Sequence, residues 1–222
     1  MRKLIVIFSS ICLLIILSTF NIENFNTSLS FFKIDKIEVK NLKILNETKI
    51  TNLFNDELFG SNLLILDEKK IDKISQTNKL IDYIEFRKIY PSKLQIIIYE
   101  KETIAIINNK QKKFYLTNEG EEIKYFKNTI LDELPNIFGE QNNFLEIYNT
   151  LIEINFPTSE IKSFYHFEIG RWDIILKNNK IIKLPVKNFN ISLKNYMGLD
   201  KQINSENYKI FDYRIKNQLI LN

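Results

Sequence analysis

The sequence predicts an α+β protein with three parts. A single N-terminal transmembrane helix comes first, then a small unit of strand-helix-helix-strand-strand order, then a C-terminal, mostly antiparallel β domain with one or two helices. Three observations predict this. Leu4 to Phe20 contains no charged residue. Between residues 32 and 102 the apolar spacing changes from strand to helix and back. From residue 103 onward, short apolar runs are broken by Asn- and Gly-containing turns. The expected divisions are a tail (1–3), an anchor (4–22), a linker (23–31) and segments 32–102 and 103–222.

The anchor, read through Ile22, gives about 28 Å of helix at roughly 1.5 Å per residue, near the ~30 Å hydrocarbon core. Its membrane-facing side chains are Leu4, Ile5, Val6, Leu13, Leu14, Ile15, Ile16 and Leu17. Arg2 and Lys3 precede the run, whereas Asn21 to Phe32 carries only Glu23. The positive-inside rule then keeps the N-terminus in the cytoplasm and exports the remainder. A cleaved signal peptide is the rival reading, but Ser18-Thr19-Phe20-Asn21 offers no pair of small residues at cleavage spacing. Cys12 makes a poor lipoprotein site, since bulky Ile11 precedes it and apolar sequence follows.

In the next part, Phe32, Ile34, Ile37 and Val39 alternate with polar residues, with one slip, as a first strand. Ile50, Leu53, Phe54 and Leu58 share one face of a short helix, capped by Asn46 or Thr48 and ended at Gly60-Ser61-Asn62. Asp67 is the N-cap of a second helix running to about Lys79, with Leu66 and Ile71 at staple spacing. Ile84 and Phe86 mark one strand, Leu94, Ile96 and Ile98 another, with Tyr90-Pro91-Ser92 turning between them. Both helices need one face of this sheet, the apolar surface available to them.

Beyond Thr103, strands are expected at 104–107, 113–116, 123–126, 164–167, 172–176 and 181–184. Phe144, Ile147, Tyr148, Leu151 and Ile152 keep helical spacing, and a short helix fits Asn190–Tyr196. A last strand is expected over Lys209–Leu221.

Composition excludes several function classes. Lys and Arg total 31 against 27 Asp and Glu, and two of those bases are Arg2 and Lys3. The rest is nearly balanced and shows no basic stripe for nucleic acid. The one cysteine lies in the apolar run, so no disulfide supports the exported part. His166 is the sole histidine, which leaves no His metal site or Cys-His nucleophile, and it reads as a sheet residue. Glu119, Glu121 and Glu122 around Gly120 read as solvated turn carboxylates rather than a catalytic acid pair. No catalytic residue, metal ligand or cofactor site is expected.

Residues 81–101 (IDYIEFRKIYPSKLQIIIYEK) resemble the V-x-x-A-x-V-x-R-x-x-P-x-T-L-x-I-x-V-x-E-R run of the bacterial cell-division family FtsQ/DivIB. Asn118-Glu119-Gly120-Glu121 resembles that family's D-x-x-G hairpin, and Leu134-Pro135-Asn136-Ile137-Phe138-Gly139 its L-P-x-L-x-G segment. Arg171-Trp172 with Leu176 resembles its W-x-L-x-L strand, and Phe211-Asp212-Tyr213-Arg214 its V-D-L-R. The likeness covers essentially the whole chain. Thr103, Thr117, Lys88 and Lys101 depart from the family pattern, and Ile215 replaces its tyrosine.

The resemblance implies a POTRA domain over 32–102 and a non-enzymatic scaffold of the division complex in the inner membrane, at the septum. It also implies FtsB/FtsL-type partners bound by the edge of the β domain, with Arg171, Arg214, Ile215 and Asn217 on the partner surface. The POTRA domain would aid recruitment by other division proteins. Two other classes stay open: a POTRA protein assisting polypeptide transport or assembly, and an anchored cell-wall enzyme.

Overall fold

The computed structural model describes residues 2–19, 31–109, 112–200 and 207–222, and the chain divides into two units, Met1–Glu100 and Lys101–Asn222. The N-terminal apolar run forms helix α1, Arg2–Thr19, whose side chains are described for residues 5–15. Ile5, Val6, Leu13, Leu14 and Ile15 are exposed on it. Leu4, Ile16 and Leu17 lie outside the described side chains, and residues 20–30, with most of the expected linker, lie outside the described residues. The expected membrane span is corrected here: among the described residues no helix is long and apolar enough to cross a membrane. Residues 5–15 rise only about 16 Å at roughly 1.5 Å per residue, about half of a hydrocarbon core.

Strands β1 (Lys36–Lys40), β2 (Ile81–Ile89) and β3 (Lys93–Glu100) form a sheet of order β1-β3-β2. β1 runs parallel to β3, so the chain must cross over before returning to its neighbour. Helices α2 (Glu47–Leu58) and α3 (Glu68–Thr77) lie in that crossover. Each starts where a side chain satisfies an orphan amide: Asn46 accepts from Lys49 N–H at 3.0 Å and Asp67 from Lys69 N–H at 3.2 Å. Ile50, Phe54, Leu58, Ile71 and Ile74 meet Ile37, Val39, Leu94, Ile96 and Ile98 in one core. The first strand begins later than its alternation predicts. Phe32 and Ile34 instead bond the loop after α2, through Leu63 N–H to Phe32 O at 2.7 Å and Ile34 N–H to Ser61 O at 2.8 Å. The slip in alternation marks that bend.

Glu100 closes this unit. Its carboxylate accepts from the backbone N–H groups of Lys43, Ile44 and Leu45 at 2.9–3.2 Å. Asn41, in the left-handed region at φ 66°, donates its side-chain amide to Ile98 O at 2.9 Å.

The second unit is one nine-stranded sheet, ordered β12-β11-β10-β9-β8-β7-β4-β5-β6. Its strands are β4 (Thr103–Asn109), β5 (Lys112–Thr117), β6 (Glu122–Lys124), β7 (Asn136–Phe138), β8 (Ile161–Phe167), β9 (Arg171–Leu176), β10 (Ile181–Lys183), β11 (Ile210–Asp212) and β12 (Ile220–Leu221). Pairing is antiparallel except at β4–β7, β7–β8 and β10–β11. Ile107, Ile137, Phe164, Ile174, Ile182, Phe211 and Leu221 stand in one register across the sheet. Helices α4 (Phe144–Glu153) and α5 (Phe189–Asp200) contribute Phe144, Ile147, Leu151, Leu193 and Tyr196 to the same cluster. The row one residue over, Phe138, Tyr165, Asp173, Lys183 and Asp212, therefore belongs to the opposite face.

The last strand is also corrected. Instead of one strand over Lys209–Leu221, β11 and β12 form a hairpin pairing Phe211 with Leu221 and Asp212 with Ile220. Arg214 N–H turns back to the Asp212 carboxylate at 3.1 Å, Gln218 N–H bonds Ile215 O at 3.1 Å, and Asn217 takes φ 59°. Those turns consume the residues that period-2 reading assigned to the strand.

Candidate functional site

The sheet ends at β12. Asn222 and Ile210 exchange both backbone hydrogen bonds, Ile210 N–H to Asn222 O at 2.8 Å and Asn222 N–H to Ile210 O at 3.1 Å. In an antiparallel ladder such pairs alternate, so Ile220 also faces β11 while the Leu221 N–H and C=O point away from it. Among the described residues no strand pairs with that side of β12, which forms one open edge of the sheet. The edge along β11, which a single final strand would have offered, is covered by β12.

Beside it lies a groove of about 660 Å³ lined by Pro185, Ile191, Asn195 and the turn from Tyr213 to Leu219. Tyr213 is buried, its hydroxyl 3.0 Å from Asn195 Oδ1 on α5, and burial pushes its ionisation up to about 12. Tyr213 thus joins the turn to α5 and fixes one wall. Ile215 is 51% exposed and Ile220 41% exposed on the same hairpin.

Arg214 reaches back over β11. Its Nε donates to both Asp212 carboxylate oxygens at 2.8 and 2.9 Å, and Nη2 to Oδ2 at 2.5 Å. This contact, more than any other, holds the Asp212 carboxyl below its ordinary range, with Lys183 assisting. On β9, Arg171 Nε lies 3.2 Å from Asp173 Oδ1, close enough for attraction but outside hydrogen-bonding geometry. Burial raises the Asp173 carboxyl despite Arg171, Lys183 and Arg214 around it. The Arg171 guanidinium also stacks 4.1 Å from the Phe167 ring centroid.

The four residues expected on the partner surface therefore separate. Arg214, Ile215 and Asn217 share the groove, whereas Arg171 is outside its lining and joins the charge row through Asp173. Sequence reading missed Ile220–Leu221 as the edge, Tyr213 as the strut and Asp173 with Lys183 as the row between the arginines. For Tyr213 the signal was its place between two charged residues on an alternating segment. Asp173 gave none.

The residues weighed as chemical groups have structural contacts. His166 packs on Trp172 with ring centroids 4.6 Å apart. Glu121 pairs with Lys101, and Glu122 accepts from Gln141. Among the described residues no group of three or more His, Cys, Asp or Glu is placed to hold a metal ion.

These features define a class: a POTRA-like unit followed by a β domain whose last hairpin ends in an open strand edge. Comparison with known proteins makes it specific. Residues 32–101 match the family description "POTRA domain, FtsQ-type", and residues 105–214 match "Cell division protein FtsQ/DivIB, C-terminal". The cell division protein FtsQ of Rickettsia bellii is 30% identical over 89% of this chain and 74% of its own length. That of Rickettsia conorii is 30% identical over 90% of this chain and 75% of its own. The chain belongs to the FtsQ/DivIB family of cell division proteins. The extracytoplasmic domain of DivIB from Geobacillus stearothermophilus overlays with a TM-score of 0.33 at 16% identity, covering 48% of this chain and 99% of that one. So low a score carries no argument about the fold. Membership places the protein in the division machinery, among division proteins that act together at the septum.

Proposed function

We propose that this chain is a non-enzymatic scaffold of the divisome that receives an extended segment of an FtsB/FtsL-type partner as a further strand on β12. The observation that carries this reading is the outward-facing N–H and C=O of Leu221 beside the groove at Ile215 and Asn217. Backbone pairing supplies affinity in strand addition, and neighbouring side chains supply register. Ile215 and Ile220 offer apolar contact in place of the tyrosine usual in the family. Arg214, half-exposed, and Arg171 favour an acidic residue on the partner. In this reading segment 103–222 holds the partner, while segment 32–102 serves recruitment. Both stand on the outer face of the inner membrane at the septum.

The test is capture of an FtsB/FtsL-type partner by the full chain carrying Leu221→Pro. Proline deletes the outward donor but no bond to β11. Capture should fall at least tenfold while the fold is retained. Unchanged capture, with β12 intact, would sink strand addition.

A further inference from the structure

We infer that one pole of the POTRA unit, made by Phe31, Phe59, Leu64, Ile65 and Tyr90, is a docking surface for a lipid bilayer. This goes beyond the partner edge on the other unit and does not depend on it.

The pole is assembled from three segments that bond to one another. Gly60 N–H donates to Ile34 O at 2.9 Å, Lys33 bridges Asn62, and Asp35 N–H donates to Ser92 O at 3.0 Å. Phe32 packs edge-on against Tyr90 with ring centroids 6.0 Å apart. These contacts bring residues 31–35, 59–65 and 89–92 side by side. Folding then leaves large apolar groups in solvent: Phe31 is 73%, Phe59 61%, Ile65 76% and Tyr90 55% exposed. Such a concentration marks an interaction site rather than scattered surface residues.

The shape of the pole selects the occupant. The side chains stand on loops and at a helix end and protrude into solvent. Protein partners bury aromatic anchors in fitted pockets, whereas a bilayer interface takes up protruding apolar groups without one. Tyr90 and the phenylalanines are amphipathic or aromatic residues of the kind enriched at membrane interfaces, and exposed Lys33 stands among them to meet lipid phosphate. The chain enters the unit at this pole. Thr19, the last residue of α1, is separated from Phe31 by so short a stretch that even fully extended it reaches only about 40 Å. α1 exposes Ile5, Val6, Leu13, Leu14 and Ile15, and a lipid interface covering those side chains lies within the reach of this tether.

The experiment uses the full chain with Cys12→Ser, reconstituted with vesicles of phosphatidylethanolamine and phosphatidylglycerol. An environment-sensitive fluorophore is placed at Phe59→Cys, Ile65→Cys or, as control, Glu47→Cys at the far end of α2. Interfacial groups sit roughly 5–10 Å below the headgroup boundary, while α2 separates residue 47 from residue 59 by about 17 Å. A nitroxide-bearing lipid should quench the labels at 59 and 65 at least threefold more than the label at 47. All three positions are exposed, so labelling leaves the core untouched. Equal quenching at the three positions overturns the inference. So does shielding at 59 and 65 that appears only when another division protein is added, which would assign the pole to a protein partner.

Discussion

Asp173 and Asp212 stand on either side of Lys183 in one cross-strand row, yet their carboxyl groups are pushed in opposite directions. Asp212 lies next to the terminal hairpin, where Arg214 folds over it with several hydrogen bonds. Asp173 lies deeper in the sheet, where its nearest cation, Arg171, approaches without hydrogen-bonding geometry. Desolvation wins at one and pairing wins at the other.

The two aspartates therefore give opposite stability profiles. The lowered Asp212 contributes stability above the ordinary carboxylate range, and that contribution is lost as pH falls through its own lower value. Asp212→Asn should be less stable than the parent near neutrality, with the gap closing in acid. Asp173 is raised, so its contribution is present below the ordinary range and is lost as pH rises through its higher value. Asp173→Asn should be the more stable protein near neutrality, and it should lose that advantage on acidification. Urea melts between about pH 3 and pH 7, followed by the fluorescence of Trp172, resolve both signs, because that residue is the only tryptophan and adjoins Asp173. Profiles of the same sign would refute the split.

Thr117 occupies the hairpin position where the family usually has aspartate. It is fully buried, and its hydroxyl accepts from Glu121 N–H at 3.0 Å while Gly120 takes φ 87°. The hydroxyl supplies the acceptor without burying a charge. Thr117→Val should cost about 1–3 kcal/mol by leaving that donor unmatched, and Thr117→Ser much less. Equal losses in denaturant melts would assign the effect to packing instead.

Much of this fold was legible because its apolar periods are regular. α2 and α3 start at Asn46 and Asp67, and the strand alternation of Leu94, Ile96 and Ile98 becomes a buried row. Two features were not legible. The segment 209–221 has no glycine or proline to announce a break, and its turn instead places an asparagine, Asn217, at positive φ. Asn41, Asn143, Asn155, Asn179, Asn188 and Asn217 all adopt positive φ. Asparagine tolerates that region, but its abundance here hid which copies mark turns. The charge row on the open face also escaped, since Asp173 and Asp212 become neighbours only through register set by β10. At the N-terminus, apolar composition predicted a longer span than the described helix supports.

Glu100 ties the end of β3 to the loop before α2 by accepting three backbone N–H groups. Removing all acceptors with Glu100→Ala should destabilise the first unit by on the order of 2 kcal/mol. Glu100→Gln keeps one acceptor oxygen and should lose roughly half as much. Amide exchange at Lys43, Ile44 and Leu45 should quicken in the same order. Unchanged exchange there would mean that the loop is held by its own backbone.

The final hairpin allows strand addition to be separated from simple unfolding. Ile220 pairs with Asp212 in the same phase as the mutually bonded Ile210 and Asn222, so its N–H points into the sheet. Leu221, one residue on, points its N–H outward. Ile220→Pro should break the β11–β12 ladder and speed amide exchange at Asn222, whereas Leu221→Pro should leave that exchange within about twofold of the parent. If an FtsB/FtsL-type partner adds as a strand on β12, as proposed, both variants should lose it, but only the first through damage to its own sheet. If Leu221→Pro also releases Asn222, the hairpin is too short for the alternation to protect it, and partner loss no longer identifies the edge. If Leu221→Pro keeps both the hairpin and the partner, binding runs through the groove at Ile215 and Asn217 rather than through the backbone of β12.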